Sequence, residues 1–326
     1  MSALLEVEDL RVRFRTIGSL RARIRGVEDP FIDAVCGVSF SIREGETLGL
    51  VGESGSGKST IARALIGLNP VADGSIRFDG REIAGLGERQ YGALRREMSM
   101  MWQDPVGSLS PRLTVRSLVT EPFRIHGVKG RDLDEEASRL LTMVGLGPDF
   151  ASRFPHQLSG GQARRVGVAR ALALDPKLVI ADEPTAGLDV SVQAEVLNLL
   201  GDLQRRLGVA ILVITHNLNV VRHITDRMAI MYLGRFVEQG PTEDVFFHPR
   251  HPYTEALLSA NPEPDPDAAK ERIEISGEVP SLLDRPKGCE FHTRCLYAQD
   301  DCRRVAPGVT RESETHRYTC HHPLSE

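Results

Sequence analysis

Residues 52–59, GESGSGKS, constrain the fold of this chain most strongly, because they match the pattern G-x-x-x-x-G-K-[ST]. The apolar run TLGLV precedes them and STIARALIGL follows, which predicts a buried strand, a loop and a helix in succession. Glycines allow backbone N–H groups to close around phosphate oxygens, and the start of a helix adds the positive end of its dipole. The stretch therefore predicts a phosphate-binding loop in an α/β protein.

The residues of this loop have distinct predicted roles. Lys58 is expected to reach the β- and γ-phosphates of a nucleotide, and the Ser59 hydroxyl is expected to bind Mg²⁺. The other predicted ATP contacts of this stretch are Gly52, Ser54, Gly55, Ser56, Gly57 and Thr60.

The stretch LVIADEP supplies two carboxylates. Asp182 ends an apolar strand, where a carboxylate can hold Mg²⁺ through water. Glu183 follows it and is the predicted group that polarises the attacking water. An Asp-Glu pair alone is usually a surface pair, but together with the phosphate loop it predicts nucleotide hydrolysis.

The stretch LSGGQ, residues 158–162, precedes the predicted helix ARRVGVARALA. Ser159, Gly160, Gly161 and Gln162 are therefore expected at a helix N-terminus, which is a second anion site. A single chain has no use for two γ-phosphate sites around one nucleotide. Two chains arranged head to tail can use both sites, because each helix N-terminus can then cap the ATP of its partner.

Strands alternate with helices over most of the chain, which predicts a largely parallel sheet. Residues 5–16 alternate apolar and polar side chains and predict an exposed edge strand. Apolar residues at helical intervals from 132 to 146 predict an amphipathic helix in a helical insert at about residues 104–165. Beyond Gly240 the sequence becomes rich in proline and acidic residues, so we expect domains at residues 1–240 and 241–326.

With its motifs in this order, the chain resembles ABC-type ATPase subunits over about residues 4–240. The resemblance implies a P-loop NTPase (RecA-like) core with an antiparallel β subdomain and a helical subdomain. By position, it implies that Gln103 in MWQDP senses Mg²⁺ and contacts the membrane partner, that Asp189 in GLD couples the two ATP sites, and that His216 in VITHN contacts the γ-phosphate. Phe14 is the predicted adenine-stacking residue and Phe31 is its rival, because residues 17–30 look like an insertion.

Four of the five cysteines lie near the C-terminus, with the spacing Cys289-x5-Cys295-x6-Cys302-x17-Cys320. The common zinc signature C-x2-C is missing, and four thiolates suit either zinc or an iron–sulfur cluster. Residues 240–324, which include GEVPSLLDRPKGCEFHTRC, resemble the C-terminal extension of oligopeptide and dipeptide importer ATPases. In some members of that group the four cysteines bind a 4Fe–4S cluster, so the resemblance implies one here. Zinc is the alternative, followed by reduced or disulfide-bonded cysteines.

Four histidines lie near these cysteines in the sequence, and each is predicted to be a solvated surface residue: His292, His316, His321 and His322. The ATP motifs are complete before residue 217, so we also expect the cysteines to lie far from the ATP site.

Together, the two resemblances predict an ATP-hydrolysing subunit of an ABC importer for peptides. The expected partners are a second ATPase chain, similar but different, two membrane permease subunits and an extracytoplasmic substrate-binding protein. No apolar run approaches the roughly 18–20 residues of a membrane span, so a peripheral position at the cytoplasmic face of the membrane is expected. ATPases of nickel or glutathione importers look very similar and remain an alternative.

A soluble ABC ATPase that acts on nucleic acid or ribosomes is the alternative from another class. Such proteins usually carry a long coiled-coil insert or two tandem cassettes, and this sequence shows neither pattern. The formal net charge of -5 gives no overall attraction to nucleic acid, so no nucleic-acid partner is expected.

Overall fold

The computed structural model describes residues 3–16, 31–104, 107–260 and 273–325. The predicted insertion at residues 17–30 lies outside these described residues. The strands are β1 (Ala3–Arg15), β2 (Phe31–Arg43), β3 (Thr47–Val51), β4 (Asp73–Phe78), β5 (Arg81–Glu82), β6 (Met98–Met101), β7 (Leu178–Asp182), β8 (Ala210–Thr215), β9 (Arg227–Tyr232), β10 (Arg235–Pro241), β11 (Thr310–Arg311) and β12 (Arg317–Tyr318).

The α-helices are α1 (Lys58–Leu65), α2 (Glu88–Leu94), α3 (Val115–Ile125), α4 (Leu133–Met143), α5 (Gly160–Ala171), α6 (Val190–Leu207), α7 (Leu218–Ile224), α8 (Thr242–Phe247) and α9 (Pro252–Ser259). Short 3-10 turns span Pro148–Ser152 and Pro155–Gln157. Across the described residues, no helix combines the length and the apolar character that crossing a membrane requires.

The chain divides into two compact units. The first unit contains Ile42–Thr47 and Leu86–Ile214, and the second contains Ala3–Ser41, Leu48–Gly85 and Thr215–Glu326. Neither unit is continuous in sequence, and the expected domain boundary at residue 240 remains a prediction.

Parallel strands form the sheet of the first unit. β6 pairs with β7 and β7 pairs with β8, with Met98 opposite Leu178 and Asp182 opposite Ile214. All five residues of β7 are buried, which explains its continuous apolar sequence. The parallel sheet that was predicted from alternating strands and helices is thus present in this unit.

The helices of the first unit begin and end where the sequence indicates. Asp132 caps α4, since its carboxylate accepts hydrogen bonds from the N–H groups of Asp134 and Glu135. The α4 face with Ala137, Leu140 and Leu141 is buried, as its periodicity predicts. α3 packs against both α4 and α5. At the other end of the unit, α6 ends at Gly208, whose φ of 65° suits glycine.

The second unit contains a four-stranded sheet with the order β2-β1-β4-β5. β1 runs antiparallel to β4, with Leu5 opposite Phe78. The prediction that β1 is an exposed edge strand is therefore wrong, because β1 has a neighbour on each side. Its apolar side chains Leu5 and Val7 are buried before a register shift between Glu8 and Arg11, and Leu10 and Val12 are buried beyond the start of that shift.

The C-terminal residues extend a second sheet in this unit. β3 pairs in parallel with β9, β9 is antiparallel to β10, and β12 is antiparallel to both β10 and β11. Beside these strands, Tyr232, Tyr253 and Phe291 pack together, with ring centroids 4.8–5.3 Å apart. Phe291 belongs to the cysteine-rich segment, so this segment shares an apolar core with the strand that ends at Tyr232.

Candidate nucleotide and cysteine sites

The predicted phosphate loop connects β3 to α1 in the second unit. Gly57 has a φ of 107° and precedes the first residue of α1. A Cβ atom at this position would lie 2.5 Å from the carbonyl oxygen of Ala34, so only glycine fits without a shift of the backbone. The loop therefore has the strand, turn and helix that its sequence predicts.

Lys58 is the buried cation of this loop. Its Nζ donates to the carbonyl oxygens of Gly52 and Glu53, over 2.6 Å and 2.8 Å, and lies 3.3 Å from the Ser56 hydroxyl. The side chain thus folds along the loop that is predicted to surround the phosphates. Ser54 and Gly55 are exposed, whereas Ser59 and Thr60 are half-buried at the start of α1.

Ser159 begins α5 in the first unit, as the LSGGQ motif predicts. Its hydroxyl accepts from the N–H of Gln162 over 3.3 Å, and the Gln162 side chain accepts from the N–H of Ser159 over 3.0 Å. This reciprocal capping box fixes the start of the helix. Ser159 and Gly160 are exposed, so this helix N-terminus is accessible from solvent.

The two predicted catalytic carboxylates follow one another at the end of β7. Asp182 is buried, and Glu183 has a φ of 50°, a conformation that is uncommon for a residue with a side chain. The Glu183 N–H donates to the carbonyl oxygen of Ile214 over 2.8 Å. Such backbone strain is retained only where the surrounding structure holds it, and it is enriched at functional sites.

Arg164 in α5 holds this turn, and the sequence analysis missed it. Its two terminal nitrogens donate to the carbonyl oxygens of Glu183 and Ala186, each over 2.9 Å. The guanidinium is buried, and this desolvation lowers the pKa of Arg164. The helix that starts at the LSGGQ motif is therefore tied to the Asp-Glu turn.

Asp189 also lies in this part of the first unit, where it caps α6. Its carboxylate accepts from the N–H of Val192 over 3.0 Å and from the Ser191 hydroxyl over 2.7 Å. The hydrogen bond from the backbone N–H of Val192, and next the one from the Ser191 hydroxyl, lower the pKa of Asp189. The structure thus gives Asp189 a defined capping role, while its predicted coupling role remains a prediction.

The remaining predicted ATP-site residues lie at strand ends and are exposed. Gln103 follows β6 in the first unit, and His216 follows β8 in the second. Phe14 is 39% exposed and Phe31 is 40% exposed, so both rings remain available for the predicted stacking on adenine. The Arg15 guanidinium lies over the Phe31 ring, 5.3 Å from its centroid. The choice between the two phenylalanines stays open.

The four C-terminal cysteines come together in the second unit. Although they are spread over 32 positions of sequence, one small cavity is lined by all of them: Cys289, Cys295, Cys302 and Cys320, with His251, Pro252, Phe291, His292, Tyr297, His321 and His322. None of the four cysteines forms a disulfide. Burial raises the pKa of Cys289 and Cys295, and it raises the pKa of Cys320 to about 12.

One of the four neighbouring histidines in the sequence, His316, differs from the predicted surface residues. His316 is buried, and its Nε2 lies 2.8 Å from the buried carboxylate of Glu238 in β10. His322 is half-buried and lies 2.9 Å from a carboxylate oxygen of Asp301. The prediction of solvated surface residues is therefore wrong for His316, which instead fastens the C-terminal segment to β10.

The cysteine-rich segment contacts the phosphate loop. Arg294 binds both carboxylate oxygens of Glu53, over 2.7 Å and 3.0 Å. Tyr253 accepts a hydrogen bond from the N–H of Glu53 over 3.0 Å. Arg294 directly precedes Cys295, so the tail reaches the phosphate loop through this side chain, while the expectation that the cysteines themselves lie far from the ATP site remains a prediction.

Comparisons with known proteins match both parts of the sequence. The family profile "ABC transporter" matches residues 35–186, and "Oligopeptide/dipeptide transporter, C-terminal region" matches residues 237–302. The oligopeptide transport ATP-binding protein AppF of Bacillus subtilis is 45% identical over 98% of this chain and 97% of its own length. The oligopeptide transport ATP-binding protein OppF of Escherichia coli is 44% identical over 97% of this chain and 95% of its own length.

Solved structures match the fold. The cbiO1 protein of Clostridium perfringens, part of the ABC transporter complex cbiONQ, is 28% identical, with a TM-score of 0.65 over 76% of this chain and 92% of that one. The ATP-binding cassette MJ0796, a dimer in a post-hydrolysis state bound to ADP and Pi, is 28% identical, with a TM-score of 0.64 over 73% of this chain and 98% of that one. These likenesses confirm the predicted fold class, and the chain belongs to the ATP-binding subunits of the oligopeptide/dipeptide family of ABC transporters.

Proposed function

We propose that this chain hydrolyses ATP and thereby powers the import of peptides by an ABC transporter. The observation that carries the proposal is the identity of 44–45%, over almost the full length, to two oligopeptide transport ATP-binding proteins. The phosphate loop, the LSGGQ helix and the Asp-Glu turn support it, because each has the local structure that its role requires.

The reaction is the attack of water on the γ-phosphate, which yields ADP and inorganic phosphate. Lys58 binds the β- and γ-phosphates, and the Ser59 hydroxyl and the Asp182 carboxylate would hold the Mg²⁺ that neutralises the developing charge. Glu183 polarises the attacking water. Two further residues act beside it in this proposal: Gln103 senses the Mg²⁺, and His216 contacts the γ-phosphate.

Two ATPase chains share each nucleotide in this proposal. The start of α5, with exposed Ser159 and Gly160 and half-buried Gly161 and Gln162, caps the ATP of the partner chain. The dimeric state of the MJ0796 cassette supports such sharing. Asp189 couples the two sites. The partner is a second, similar ATPase chain, and closure of the pair on ATP moves two separate permease subunits.

The other partners follow from the same family membership. An extracytoplasmic binding protein delivers the peptide, and this chain acts at the cytoplasmic face of the membrane as a peripheral subunit. The decisive experiment reconstitutes the chain with its permease and second ATPase subunit in lipid vesicles. We expect ATP hydrolysis that rises when peptide-loaded binding protein is added, together with peptide uptake. ATP turnover that ignores the permease and the binding protein would contradict the proposal.

The four tail cysteines are proposed to hold one 4Fe–4S cluster with a structural role. They are four sulfur donors on one cavity, which is the ligand set of such a cluster. Burial raises the pKa of these thiols, and the positive charge of a bound metal lowers it again. The thiols therefore release their protons when they bind the metal.

A second set of possible ligand atoms overlaps the cysteine site. Asp301, Cys302 and His322 bring a carboxylate oxygen, a sulfur and a ring nitrogen within 4.8 Å of one another. Zinc accepts all three kinds of ligand atom, so zinc stays the alternative to the cluster.

A further inference from the structure

We propose that Arg294 in the cysteine-rich tail is a positioning residue for the phosphate loop: it neutralises and holds Glu53, and thereby makes nucleotide affinity depend on the tail. The inference rests on the proposed ATPase function, because it concerns the same phosphate loop. It assigns to the tail a role in nucleotide binding that none of the sequence motifs indicates.

Every polar group of Glu53 is engaged. Its N–H donates to the hydroxyl of Tyr253, its carbonyl oxygen accepts from Nζ of Lys58, and its carboxylate accepts two bonds from Arg294. Two of these three contacts come from residues 200 and 241 positions away, within the C-terminal segment. The third comes from the lysine that is proposed to bind the phosphates. Glu53 therefore joins the tail directly to the phosphate-binding cation.

The contact between Arg294 and Glu53 is bidentate and largely shielded from water. The Arg294 side chain is 6% exposed and that of Glu53 is 26% exposed, so the pair is largely shielded from water. Two parallel N–H···O bonds fix the direction as well as the distance of the carboxylate. The Arg294 guanidinium also lies over the Tyr232 ring, 6.0 Å from its centroid.

The charge of Glu53 explains why the pairing matters for ATP. A carboxylate in a phosphate loop repels the polyphosphate that the loop binds, unless a cation compensates it. Arg294 supplies that cation from outside the loop. Removal of Arg294 alone therefore leaves an uncompensated negative charge beside the nucleotide, whereas removal of both charges restores neutrality.

The position of Arg294 in the sequence links this effect to the cysteines. Arg294 directly precedes Cys295, and its N–H donates to the carbonyl oxygen of Phe291 over 2.9 Å. Phe291 lies in the aromatic core with Tyr253, which binds the N–H of Glu53. Both contacts to Glu53 thus depend on the same packed segment, so an intact cysteine site holds the phosphate loop in its binding conformation.

A double-mutant cycle on the full-length chain, assembled with its partner subunits, tests the proposal. The variants are Arg294→Met, Glu53→Gln and the combination of the two, and the readout is the dissociation constant of a fluorescent ATP analogue. We expect Arg294→Met to weaken binding by at least about tenfold, as the loss of one partner of a shielded charge pair usually does. The double variant should recover most of that loss. A role in folding alone would give no such recovery.

The matched control is Arg250→Met. Arg250 lies in the same C-terminal segment and pairs with Glu312 over 2.8 Å, and its side chain is 13% exposed. This variant should leave the dissociation constant within about twofold of the original value. The Arg294→Lys variant keeps the charge without the paired hydrogen bonds, so we expect it to bind ATP with intermediate affinity. It replaces Arg294→Met in the cycle if that variant does not fold.

Two results would overturn the proposal. One is equal affinity of the Arg294→Met variant and the original protein, and the other is a double variant that binds no better than Arg294→Met. Failure of the original protein itself to bind the ATP analogue would instead contradict the proposed ATPase function.

Discussion

Arg164 donates hydrogen bonds that hold Glu183 in a left-handed backbone conformation, with 2.9 Å between Nη1 and the Glu183 carbonyl oxygen. The arginine comes from the helix that the LSGGQ motif begins, and the glutamate follows the strand that ends at Asp182. A single side chain therefore ties the predicted partner-facing helix to the predicted catalytic carboxylate. If that helix shifted in an ATPase dimer, this contact would move the Glu183 backbone with it.

Glu183→Gln is expected to retain ATP binding and to slow hydrolysis by about 10²–10⁴-fold, the usual cost of losing a general base. The amide has nearly the same shape as the carboxylate but does not take up a proton from water. Single-turnover hydrolysis and ATP binding, measured on the assembled transporter, check this prediction. A variant that fails to bind ATP would show that Glu183 serves the fold or the Mg²⁺ instead.

Arg164→Met is expected to lower the rate of hydrolysis more than the affinity for ATP, because the Glu183 turn loses its donors. The Glu183 carbonyl oxygen keeps the hydrogen bond from the Ala186 N–H, but both part-buried carbonyl oxygens lose the guanidinium, which should lower the free energy of unfolding by about 1–3 kcal/mol in total. Denaturant unfolding and steady-state ATPase assays measure the two effects.

Arg165→Met is the matched control for this prediction. Arg165 lies on the same helix but donates to the carbonyl oxygen of Val144 and to Glu195, away from the Asp-Glu turn. Equal losses of activity in the two variants would show that Arg164 acts only through the stability of the helix.

Sequence patterns predicted the local parts of this structure well. The strand, loop and helix around Lys58 and the helix start at Ser159 each depend on neighbouring residues, and the sequence displays both. The alternation of β1 likewise predicted a strand. It did not reveal that strands lie on both sides, because the pattern reports which face is buried and not how many neighbours pair.

Contacts over long sequence distances were beyond prediction from one sequence. Glu53 occupies a variable position of the phosphate-loop pattern, and Arg294 lies 241 positions away. Arg164 stands in the polar stretch GGQARR, where an exposed helix face is the ordinary expectation. For both arginines, the packing of other segments removes the side chain from water, and neither composition nor periodicity carries that information.

Lys58→Ala is expected to abolish measurable ATP binding at concentrations that saturate the original protein. The β- and γ-phosphates lose their cation, and the loop loses the hydrogen bonds to the carbonyl oxygens of Gly52 and Glu53. Equilibrium binding of a fluorescent ATP analogue measures the effect. The exposed Lys129 provides the control, since Lys129→Ala should bind ATP normally. Normal turnover by the Lys58 variant would remove the phosphate-loop assignment.

His251 is expected to make the second unit sensitive to acid. Burial lowers the pKa of this histidine to about 4, although the nearby Glu238 carboxylate acts in the opposite direction. The neutral ring caps α9, because its Nδ1 accepts a hydrogen bond from the N–H of Tyr253 over 3.0 Å. A protonated ring cannot accept that bond.

The direction of the pH effect follows from the two pKa values. The unfolded chain binds a proton on His251 near pH 6.5, whereas the folded chain does so only near pH 4. The contribution of the neutral His251 ring to the free energy of unfolding is therefore complete above pH 6.5. It decreases as the pH falls toward 4, and the total loss is up to about 3 kcal/mol. Asparagine can cap the helix but does not titrate. The melting temperatures of the original protein and of the His251→Asn variant should therefore become more similar as the pH falls through this range. A difference that is independent of pH would contradict the prediction.

Anaerobically purified protein is expected to contain about four iron and four sulfide per chain, as a single 4Fe–4S cluster requires. Cys295→Ser should remove the iron, because each of the four thiolates would serve one iron atom. Cys36→Ser is the control and should keep the iron, since Cys36 is buried near the start of β2 and does not line the cysteine cavity. Metal analysis and sulfide determination on both variants give the answer. One zinc per chain without iron would exclude the cluster, but the four cysteines would remain the proposed metal ligands. Four freely reactive thiols in metal-free, folded protein would exclude any metal at this site.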